Sequence, residues 1–465
     1  MAISLRPTLR FLFTTLQFIE SDFYGRVGAE LARRGHEVGH VTYSRRAARA
    51  LERHGGPVWC LPDAMSTLPL ADSDAEAEAE RIVSTYDIPT LRDVWRTDWA
   101  CDGRSDAENV ERTVRHFVAL ERIFDDYRPN VVVPEVGSET MRTAAHQVAL
   151  DRGATVLFLF YTIFPAPLRL YRDSMHAPIV PQEELRELEP DERARVERFI
   201  DEFTSERRPI RDYRAATVTP PKLRDFGRHI AMRATVDADN EYLVPGRYFT
   251  NVFRERTRAA AARALYEPPG ERPFVYFPLH VVDDYKIQRV IPHCYDQASI
   301  IEQVADALPH GVEIVLKEHP MSVGRNELAL LRRLKRIPNA RLVKPHTSSH
   351  DLIRRAEAVV VISSTVGLEA LLYGRPVLTL GQPFYSGYGV TVDVDSFREI
   401  REAVPAVLGF QPDREQILRF LGAAMRACHP GKPVLVDDSQ ANAVALAGSL
   451  DAAVREQQPA ATTVS

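Results

Sequence analysis

Cysteine is scarce in this sequence, and its spacing excludes a framework of disulfides. The four cysteines lie far apart and form no Cys-x-x-Cys pair: Cys60, Cys101, Cys294 and Cys428. Neither a disulfide scaffold nor a cysteine-built zinc site is indicated, and a reducing compartment, the cytoplasm, fits best. No Asp-x-Asp pair is well placed for a metal ion, and the glycine-rich loop at 381–389 has no G-x-G-x-x-G or Walker pattern. We therefore expect no metal and no cofactor.

Long apolar runs and an excess of basic residues are also lacking. No stretch approaches the roughly 18 apolar residues of a membrane span, so we expect any membrane contact to be peripheral, on the inner face of the cell membrane. The first apolar run is interrupted by Thr14, Thr15 and Gln17 and lacks a cleavage site, which favours a first strand over a signal peptide. The net charge of -5 gives no basic footprint for nucleic acid.

The N-terminal half alternates between buried strands and helices. Two βαβ units are predicted, each the seed of a parallel sheet. The first comprises a strand at 9–13, a helix at 23–34 and a strand at 37–42, and the second a strand at 131–133, a helix at 140–152 and a strand at 155–160. The charged, proline-interrupted segment 181–224 is not assigned.

The C-terminal half has the densest alternation, and it predicts a second doubly wound sheet. Strands are predicted at 274–279, 313–317, 341–343, 358–362 and 376–380, with helices at 299–308, 327–336, 349–355 and 366–372. The breaker Glu267-Pro268-Pro269-Gly270 precedes it. We therefore predict domains at 1–268 and 269–400, closing helices at 401–456 and a tail at 457–465.

Two segments that follow strands of the second domain suit a phosphate. In Lys317-Glu318-His319-Pro320, the proline stiffens the turn, and both Lys317 and His319 can donate to an anion. In the second segment, Ser363, Ser364 and Thr365 place three hydroxyls before a helix, where free backbone N–H groups form an anion site. Simple N-capping by serine or threonine uses the same geometry, and solvated charge at a strand end explains the first segment equally well.

Other polar residues near strand ends are weaker candidates. Glu369 lies one helical turn after Thr365, where it could accept ribose hydroxyls or simply favour the helix dipole. His280 precedes two acids in a loop that could contact donor or acceptor, although such loops are more often solvated surface. Tyr385 belongs to an aromatic loop that could stack on a base or sugar, act as a lid, or be an ordinary loop with packed aromatics. In the first domain, Glu135 follows a strand and is the preferred carboxylate for acid, base or nucleophile work.

Together these residues resemble the capsule polysaccharide synthesis family, which includes retaining β-Kdo transferases that use CMP-Kdo. The resemblance covers about residues 274–394. It rests on the turn His319-Pro320, the run from Ser363 to Leu371, the step Gly374-Arg375-Pro376-Val377 and the loop Gly381-Gln382-Pro383-Phe384-Tyr385. His-Pro turns also occur in bacterial sialyltransferases and wall-acid glycerophosphotransferases, which likewise use cytidine nucleotides.

The resemblance implies an α/β protein of the GT-B type, with two Rossmann-like domains facing a cleft and C-terminal helices. It implies phosphate contacts from His319, Ser363 and Ser364, with Glu369 near the nucleoside. The family often has Gln and then Asp after the first strand of this domain. Here His280 takes the place of the Gln, and Asp283 or Asp284 could supply the acid.

The expected function is transfer of a sugar, Kdo or another acidic sugar, from a CMP-activated donor to a surface polysaccharide or glycolipid. Glu135, His319 and Asp283 are the candidate catalytic residues. Three alternatives stay open: a CDP-glycerol-dependent wall-polymer transferase, a non-catalytic capsule assembly protein, and a nonhydrolysing sugar epimerase.

Overall fold

A computed structural model describes residues 7–16, 18–68, 74–176, 179–206 and 220–455. The expected tail at 457–465 lies outside the described residues. The strands are β1 (Arg10–Thr15), β2 (Glu37–Thr42), β3 (Val58–Cys60), β4 (Val131–Pro134), β5 (Thr155–Tyr161), β6 (Leu168–Arg172), β7 (Phe274–Pro278), β8 (Glu313–Lys317), β9 (Ala340–Val343), β10 (Ala358–Val361), β11 (Val377–Thr379), β12 (Val392–Asp393) and β13 (Cys428–His429).

The helices cover the faces of two sheets. They are α1 (Phe18–Arg33), α2 (Arg45–Leu51), α3 (Leu61–Ser66), α4 (Ala75–Thr85), α5 (Arg92–Trp95), α6 (Asp106–Tyr127), α7 (Thr140–Asp151), α8 (Pro190–Glu206), α9 (Pro220–Thr235), α10 (Pro245–Ala262), α11 (Gln297–Ala307), α12 (Leu328–Lys335), α13 (Ser349–Arg355), α14 (Thr365–Leu372), α15 (Ile400–Gly409), α16 (Arg414–Arg426) and α17 (Gln440–Arg455). A π-helical turn at Lys286–Val290 lies between β7 and α11.

Both sheets are built mainly from parallel strands. The first has the order β13-β6-β5-β4-β1-β2-β3, with β6 and β13 antiparallel to their neighbours, and the second has the order β12-β11-β10-β7-β8-β9, parallel throughout. Strands β7, β8 and β10 are buried along their whole length, as expected for parallel strands covered on both faces. The prediction of an α/β fold with two Rossmann-like domains is confirmed.

Strand order reverses once in each sheet, and this reversal positions the functional residues. In the first sheet the chain leaves β1 toward β2 and β3 and then returns to place β4 on the other side of β1. In the second sheet β7 has the same role, with β8 and β9 on one side and β10 on the other. At such a switch point the connecting loops separate, and the crevice beyond the strand ends is where α/β sheets bind ligands.

The main departures from the sequence prediction involve polar residues. Helix α1 begins at Phe18, five residues before the predicted start at Phe23. The intervening residues look like a polar turn, but Glu20 accepts a hydrogen bond from the Leu16 amide at 2.9 Å, and the Ser21 and Thr15 hydroxyls are 2.6 Å apart. These contacts bury polar side chains at low cost and let the helix start early.

The last part of the chain returns to the first sheet. Strand β13 pairs with β6, α17 packs on α1, and α16 packs on α8. Neither β6 nor β13 was predicted: β13 is an edge strand of only two residues, and β6 pairs antiparallel with β5 and lies outside the two predicted βαβ units. Their pairing brings the predicted closing helices onto the N-terminal side of the molecule.

Candidate functional site

A cavity of about 580 Å³ lies at the switch point of the second sheet, beyond the ends of β7, β8, β9 and β10. This volume is within the range of small-molecule sites. Seven of the residues singled out from the sequence line it: His280, Lys317, His319, Ser363, Ser364, Thr365 and Glu369. Asp283, Tyr385 and Glu135 do not.

The junction between β10 and α14 forms one wall of the cavity. The hydroxyl of Ser364 accepts the Val366 amide at 3.2 Å and so caps the helix. Tyr385 is fully buried beneath the turn and donates its hydroxyl hydrogen bond to the Ser364 carbonyl. The aromatic loop was expected to stack on a ligand, but this ring holds the turn in place.

Gly367 explains why Tyr385 can lie so close. A Cβ atom built on Gly367 would be 2.1 Å from the tyrosine hydroxyl and 2.7 Å from its ring, which no side chain can occupy without movement. The glycine in the Ser-to-Glu run is therefore required for packing and not for a positive φ. The serine turn and the aromatic loop form one unit.

His280 fixes the turn from the β7 side. Its Nε2 accepts the Ser363 amide at 3.1 Å, while its own amide donates to the Gln297 side chain at 2.8 Å. Burial lowers the pKa of His280 to about 3, with smaller contributions from Lys286 and His319. The ring is neutral, and because Nε2 accepts, its proton is on Nδ1. His280 therefore orients Ser363 and carries no positive charge.

Two lysines supply the positive charge of the cavity. Lys317 ends β8 and donates to the Ser349 hydroxyl at 2.5 Å, and Lys286 lies 3.5 Å from the Ser363 hydroxyl. Burial lowers the pKa of each lysine to about 8, so both are mostly protonated at neutral pH. Lys286 was not predicted as a site residue, because it lies on the π-helical turn, well beyond the end of β7.

Glu369 is the acidic partner in this cavity. It is buried on α14, and burial raises its pKa to about 7, against the opposing effect of Lys317. The proximity of Lys317 and Glu369 lets one lysine face both a carboxylate and an incoming anion. The carboxylate can exchange its proton near neutral pH.

The His319 turn is held from behind by its neighbour. Glu318 is fully buried, accepts from the Asn326 amide at 2.6 Å and also accepts from the Tyr266 hydroxyl. The Nδ1 atom of His319 accepts the Met321 amide at 3.2 Å. A neutral His319 therefore has its proton on Nε2. Glu318 thus lines the cavity beside Lys317 and His319, with its carboxylate already bonded to Tyr266 and Asn326.

Asp283, a candidate catalytic residue from the sequence, does not line the cavity. Its side chain is 55% exposed and pairs with Arg325 at 3.1 Å outside the cavity. The adjacent Asp284 lines the cavity instead and accepts the Lys286 amide at 2.8 Å. Burial raises the pKa of Asp284. Two consecutive loop residues point in different directions, and the turn that follows decides which one faces inward.

Glu135 lies at the switch point of the first sheet, directly after β4. It is buried, and it accepts a hydrogen bond from Tyr24. Burial and then the charge of Glu20 raise the pKa of Glu135 to about 7, while Arg142 opposes the shift. Arg142 also bonds Glu20 at 3.0 Å and Glu139 at 3.1 Å, so Glu135 belongs to a cluster of three carboxyl groups around one arginine.

The π-helical turn connects the cavity with the first domain. Arg289 donates to the carbonyls of Asp93 and Val94 at 3.0 Å, and the Lys286 ammonium lies 6.0 Å from the centre of the Phe160 ring. The segment that brings Lys286 to the cavity is therefore held by both domains.

Within the described ranges, no cluster of three or more His, Cys, Asp or Glu side chains could hold a metal ion. Among the helices formed by the described residues, none is long and apolar enough to cross a bilayer.

Several known proteins are similar to this chain over part of their length. Protein FixF of Sinorhizobium fredii is 31% identical over 151 residues, which cover 32% of this chain and 36% of that protein. Capsule polysaccharide modification protein LipA of Neisseria meningitidis serogroup B is 27% identical over 127 residues, covering 27% of this chain and 18% of that protein. The chain thus matches about a third of FixF or less than a fifth of LipA.

Among solved structures, KpsC of Thermosulfurimonas dismutans, titled a beta Kdo 2,4 transferase, aligns with a TM-score of 0.40 and 17% identity. The alignment covers 64% of this chain and 79% of that one. The model of a family described as capsule polysaccharide biosynthesis protein matches residues 175–418, just over half of the chain. This match includes β7 to β12 and every residue that lines the cavity. The chain therefore belongs to the capsule polysaccharide biosynthesis protein family.

Proposed function

We propose that this protein is a glycosyltransferase that moves Kdo or another acidic sugar from a CMP-activated donor to a surface polysaccharide or glycolipid. The observation that best supports this proposal is the cavity at the switch point of the second sheet, which is lined by Lys317, Lys286 and Ser363. Its chemistry suits a phosphate, and its volume admits a nucleotide.

The donor phosphate would lie against the two lysines and His319. When the sugar–phosphate bond breaks, negative charge grows on the departing CMP. Fixed cations and hydroxyls stabilise such charge most effectively when they are positioned beforehand in a partly dry site. Two hydrogen bonds provide this positioning: the Ser363 amide donates to His280, and the Tyr385 hydroxyl donates to the Ser364 carbonyl.

Glu369 would interact with the nucleoside. Its burial beside Lys317 places a carboxylate on α14, one turn beyond the hydroxyls of the proposed phosphate site. Such a carboxylate accepts hydrogen bonds from ribose hydroxyls when it is ionised. With a pKa of about 7, it is ionised in roughly half of the molecules at neutral pH.

Glu135 would act from the first domain as base or nucleophile. A general base works best when its pKa lies near the operating pH, and burial together with Glu20 raises the pKa of Glu135 to about 7. Tyr24 and Arg142 restrain the surrounding cluster.

Arg169 supports an acidic sugar as the transferred group. This β6 residue is buried between the domains, with its guanidinium 4.3 Å from the ring centre of Tyr171 and 4.0 Å from that of Phe384. Its Nε and Nη1 atoms have no hydrogen-bond acceptor among the described residues. A buried cation without a carboxylate is costly, and movement of Phe384 away from Tyr171 would present it to a substrate carboxylate.

Turnover of defined donors tests the proposal. Purified protein is incubated with CMP-Kdo, other CMP-sugars, UDP-sugars and CDP-glycerol, and nucleotide release and acceptor product are measured. CMP release with sugar in the product is expected. Phosphorus in the product would identify the CDP-glycerol-dependent transferase instead. Nucleotide binding without turnover of any donor would favour a non-catalytic assembly protein. If no CMP- or UDP-sugar is consumed and His319→Ala binds nucleotide like the wild type, the proposal fails.

A further inference from the structure

Helices α9 and α10 pack against each other and expose large apolar side chains. On α10, Phe249 and Phe253 are 56% and 69% exposed, and on α9, Ile230 is 47% exposed. Phe249 and Phe253 are four residues apart and so lie on one face of their helix, together with the exposed Arg256. Exposed aromatic residues grouped in this way usually mark an interaction surface. We call the surface formed by Ile230, Phe249, Phe253 and Arg256 the hairpin face.

The hairpin face is part of a strongly basic element in an acidic protein. The two helices together carry eight lysines and arginines but only two acidic residues, whereas the whole chain has a net charge of -5. Aromatic side chains flanked by arginines on a helix favour the surface of an anionic bilayer, where the rings enter the headgroup boundary and the cations meet lipid phosphates. Arg228, Arg254 and Arg256 are exposed on these helices. Two copies packed through this surface would bring like charges together, which argues against a second copy as the occupant.

The hairpin also lies beside the proposed cleft. Toward its start, α10 is joined to the first domain, where Arg247 bonds Asp102 at 3.0 Å and lies over the Trp99 ring. Toward its end, it is joined to the second domain, where Arg258 donates to the Arg325 carbonyl at 3.3 Å. The helix therefore spans both domains.

The loop after His319 and Pro320 forms the contact between α10 and the cavity. A Cβ atom on Gly324 would be 2.1 Å from the Glu255 carbonyl, so the loop backbone lies directly on α10. The exposed Met321 lies in the same turn as the cavity residue Pro320. A bilayer beneath the hairpin face would thus be close to the cavity rim.

We propose that the hairpin face binds the surface of an anionic phospholipid bilayer, with Phe249 and Phe253 inserted at the headgroup boundary. This placement would present a lipid-linked acceptor to the cleft. Membrane binding of this kind does not depend on which donor or sugar the cavity takes.

Vesicle co-sedimentation tests the proposal without donor or acceptor. The full chain is mixed with vesicles of phosphatidylglycerol and phosphatidylcholine, and with vesicles of phosphatidylcholine alone. Binding to the mixed vesicles is expected, with loss on the neutral ones and at high salt. The F249S/F253S double variant should bind about tenfold more weakly or worse, because two aromatic side chains no longer insert.

Matched variants separate the contributions. Tyr295→Ser removes an aromatic residue that is 61% exposed outside the hairpin and should bind vesicles like the wild type. The R254Q/R256Q variant should bind mixed vesicles more weakly and with a smaller salt dependence. The stabilisation of F249S/F253S by CMP should match that of the wild type, which shows that the fold and cavity are intact.

Three results would overturn the proposal. One is wild-type protein that does not bind the mixed vesicles, and another is F249S/F253S that binds them as well as the wild type. The third is a wild-type dimer that F249S/F253S converts to a monomer in the absence of lipid, because the hairpin face would then bind a second copy. The donor experiments above are unaffected by any of these results.

Discussion

The two switch points of the molecule have the same topology but different electrostatics. In both sheets a helix begins beyond the central strands, and polar side chains gather where the strand order reverses. At the first sheet, Glu20, Glu135 and Glu139 surround Arg142, and acidic groups predominate. At the second sheet, Lys317 and Lys286 line an open cavity together with hydroxyls, histidines and the carboxyl groups of Asp284, Glu318 and Glu369.

This difference shows that βα junctions of the same topology can have two different chemical roles. In the second sheet, burial lowers the pKa of both lysines only to about 8, so they remain mostly protonated at neutral pH. Because they line an open cavity, their charge is available to an anion. In the first sheet, the acids are neutralised mainly within their own cluster, and the remaining imbalance raises the pKa of Glu135. One junction is suited to binding an anion, and the other to accepting a proton.

The largest expected effect comes from removing the proposed proton acceptor. Glu135→Gln should lower kcat by about 10²- to 10⁴-fold, the usual contribution of a general acid or base. It should leave CMP affinity unchanged, because Glu135 does not line the cavity. Steady-state kinetics and calorimetry measure the two quantities. Equal losses of kcat and CMP affinity would contradict the division between the two junctions.

Tyr24→Phe is the conservative companion to that variant. The Tyr24 hydroxyl donates to Glu135 and lowers the pKa of its carboxyl, so its removal should move the pKa of Glu135 upward. If Glu135 acts as a base, the acidic limb of the pH–rate profile should shift to higher pH. A profile identical to that of the wild type would argue against titration of Glu135 in the reaction.

The next largest effect is expected on nucleotide binding at the cavity of the second sheet. Lys317→Met should weaken CMP binding by about 10- to 100-fold, because a charge-assisted hydrogen bond contributes on the order of 1.5–3 kcal/mol. Lys344→Met is the matched control, since Lys344 is exposed shortly after β9 and does not line the cavity. Calorimetric titration should find wild-type affinity for the control. Similar losses in both variants would mean that general charge, and not the cavity, attracts the nucleotide.

A smaller effect should follow from crowding the serine turn. Gly367→Ala places a methyl group against Tyr385 and should reduce the free energy of unfolding by about 1–3 kcal/mol, as overpacking usually does. Gly409→Ala at the end of α15 is the control, because a Cβ there meets nothing within 4 Å. Chemical denaturation compares the two. A Gly367→Ala protein as stable as the control would show that Tyr385 does not restrain the turn.

The smallest effect is a dependence on pH with opposite signs for folding and binding. The folded pKa of Lys317 is about 8, below the ordinary lysine value of 10.5, so between these values the unfolded chain holds more protons than the folded one. As the pH rises from 8 toward 10, the contribution of this lysine to the free energy of unfolding should therefore increase by at most about 1.4 kcal/mol per pH unit. CMP binding should weaken over the same range, since the lysine loses its charge.

Comparison of wild type with Lys317→Met isolates this contribution from other titrating groups. The difference in unfolding free energy between the two proteins should change with pH above 8, and the difference in CMP affinity should shrink. Parallel curves at all pH values would place the pKa of Lys317 outside this range.

The sequence predicted most of the second domain because its strands are short apolar runs separated by clear helix signals. Strand β8 and helix α13 have the predicted bounds. The cavity residues were found by the rule that ligands bind after strand ends, and Lys317, His319 and Ser363 all satisfy it.

The remaining site residues depend on contacts between distant parts of the chain. Lys286 lies on the π-helical turn, and Arg289 of the same turn bonds the Asp93 carbonyl in the first domain. The position of Lys286 near Ser363 therefore depends on a contact between the domains. Arg169 lies on β6, next to the edge strand β13, and the pairing of these two strands joins residues far apart in sequence. The orientations of Asp283 and Asp284 are set by Arg325 and by the start of that turn. No local pattern encodes these three placements.

A crystal structure of the protein with CMP tests the central claim most directly. The account predicts phosphorus density in the cavity of the second sheet, within hydrogen-bonding reach of Lys317 or Lys286 and the Ser363 hydroxyl, with the ribose toward Glu369. Nucleotide density at the Glu135 cluster, or a phosphate outside the cavity while the serine turn remains unoccupied, would contradict it.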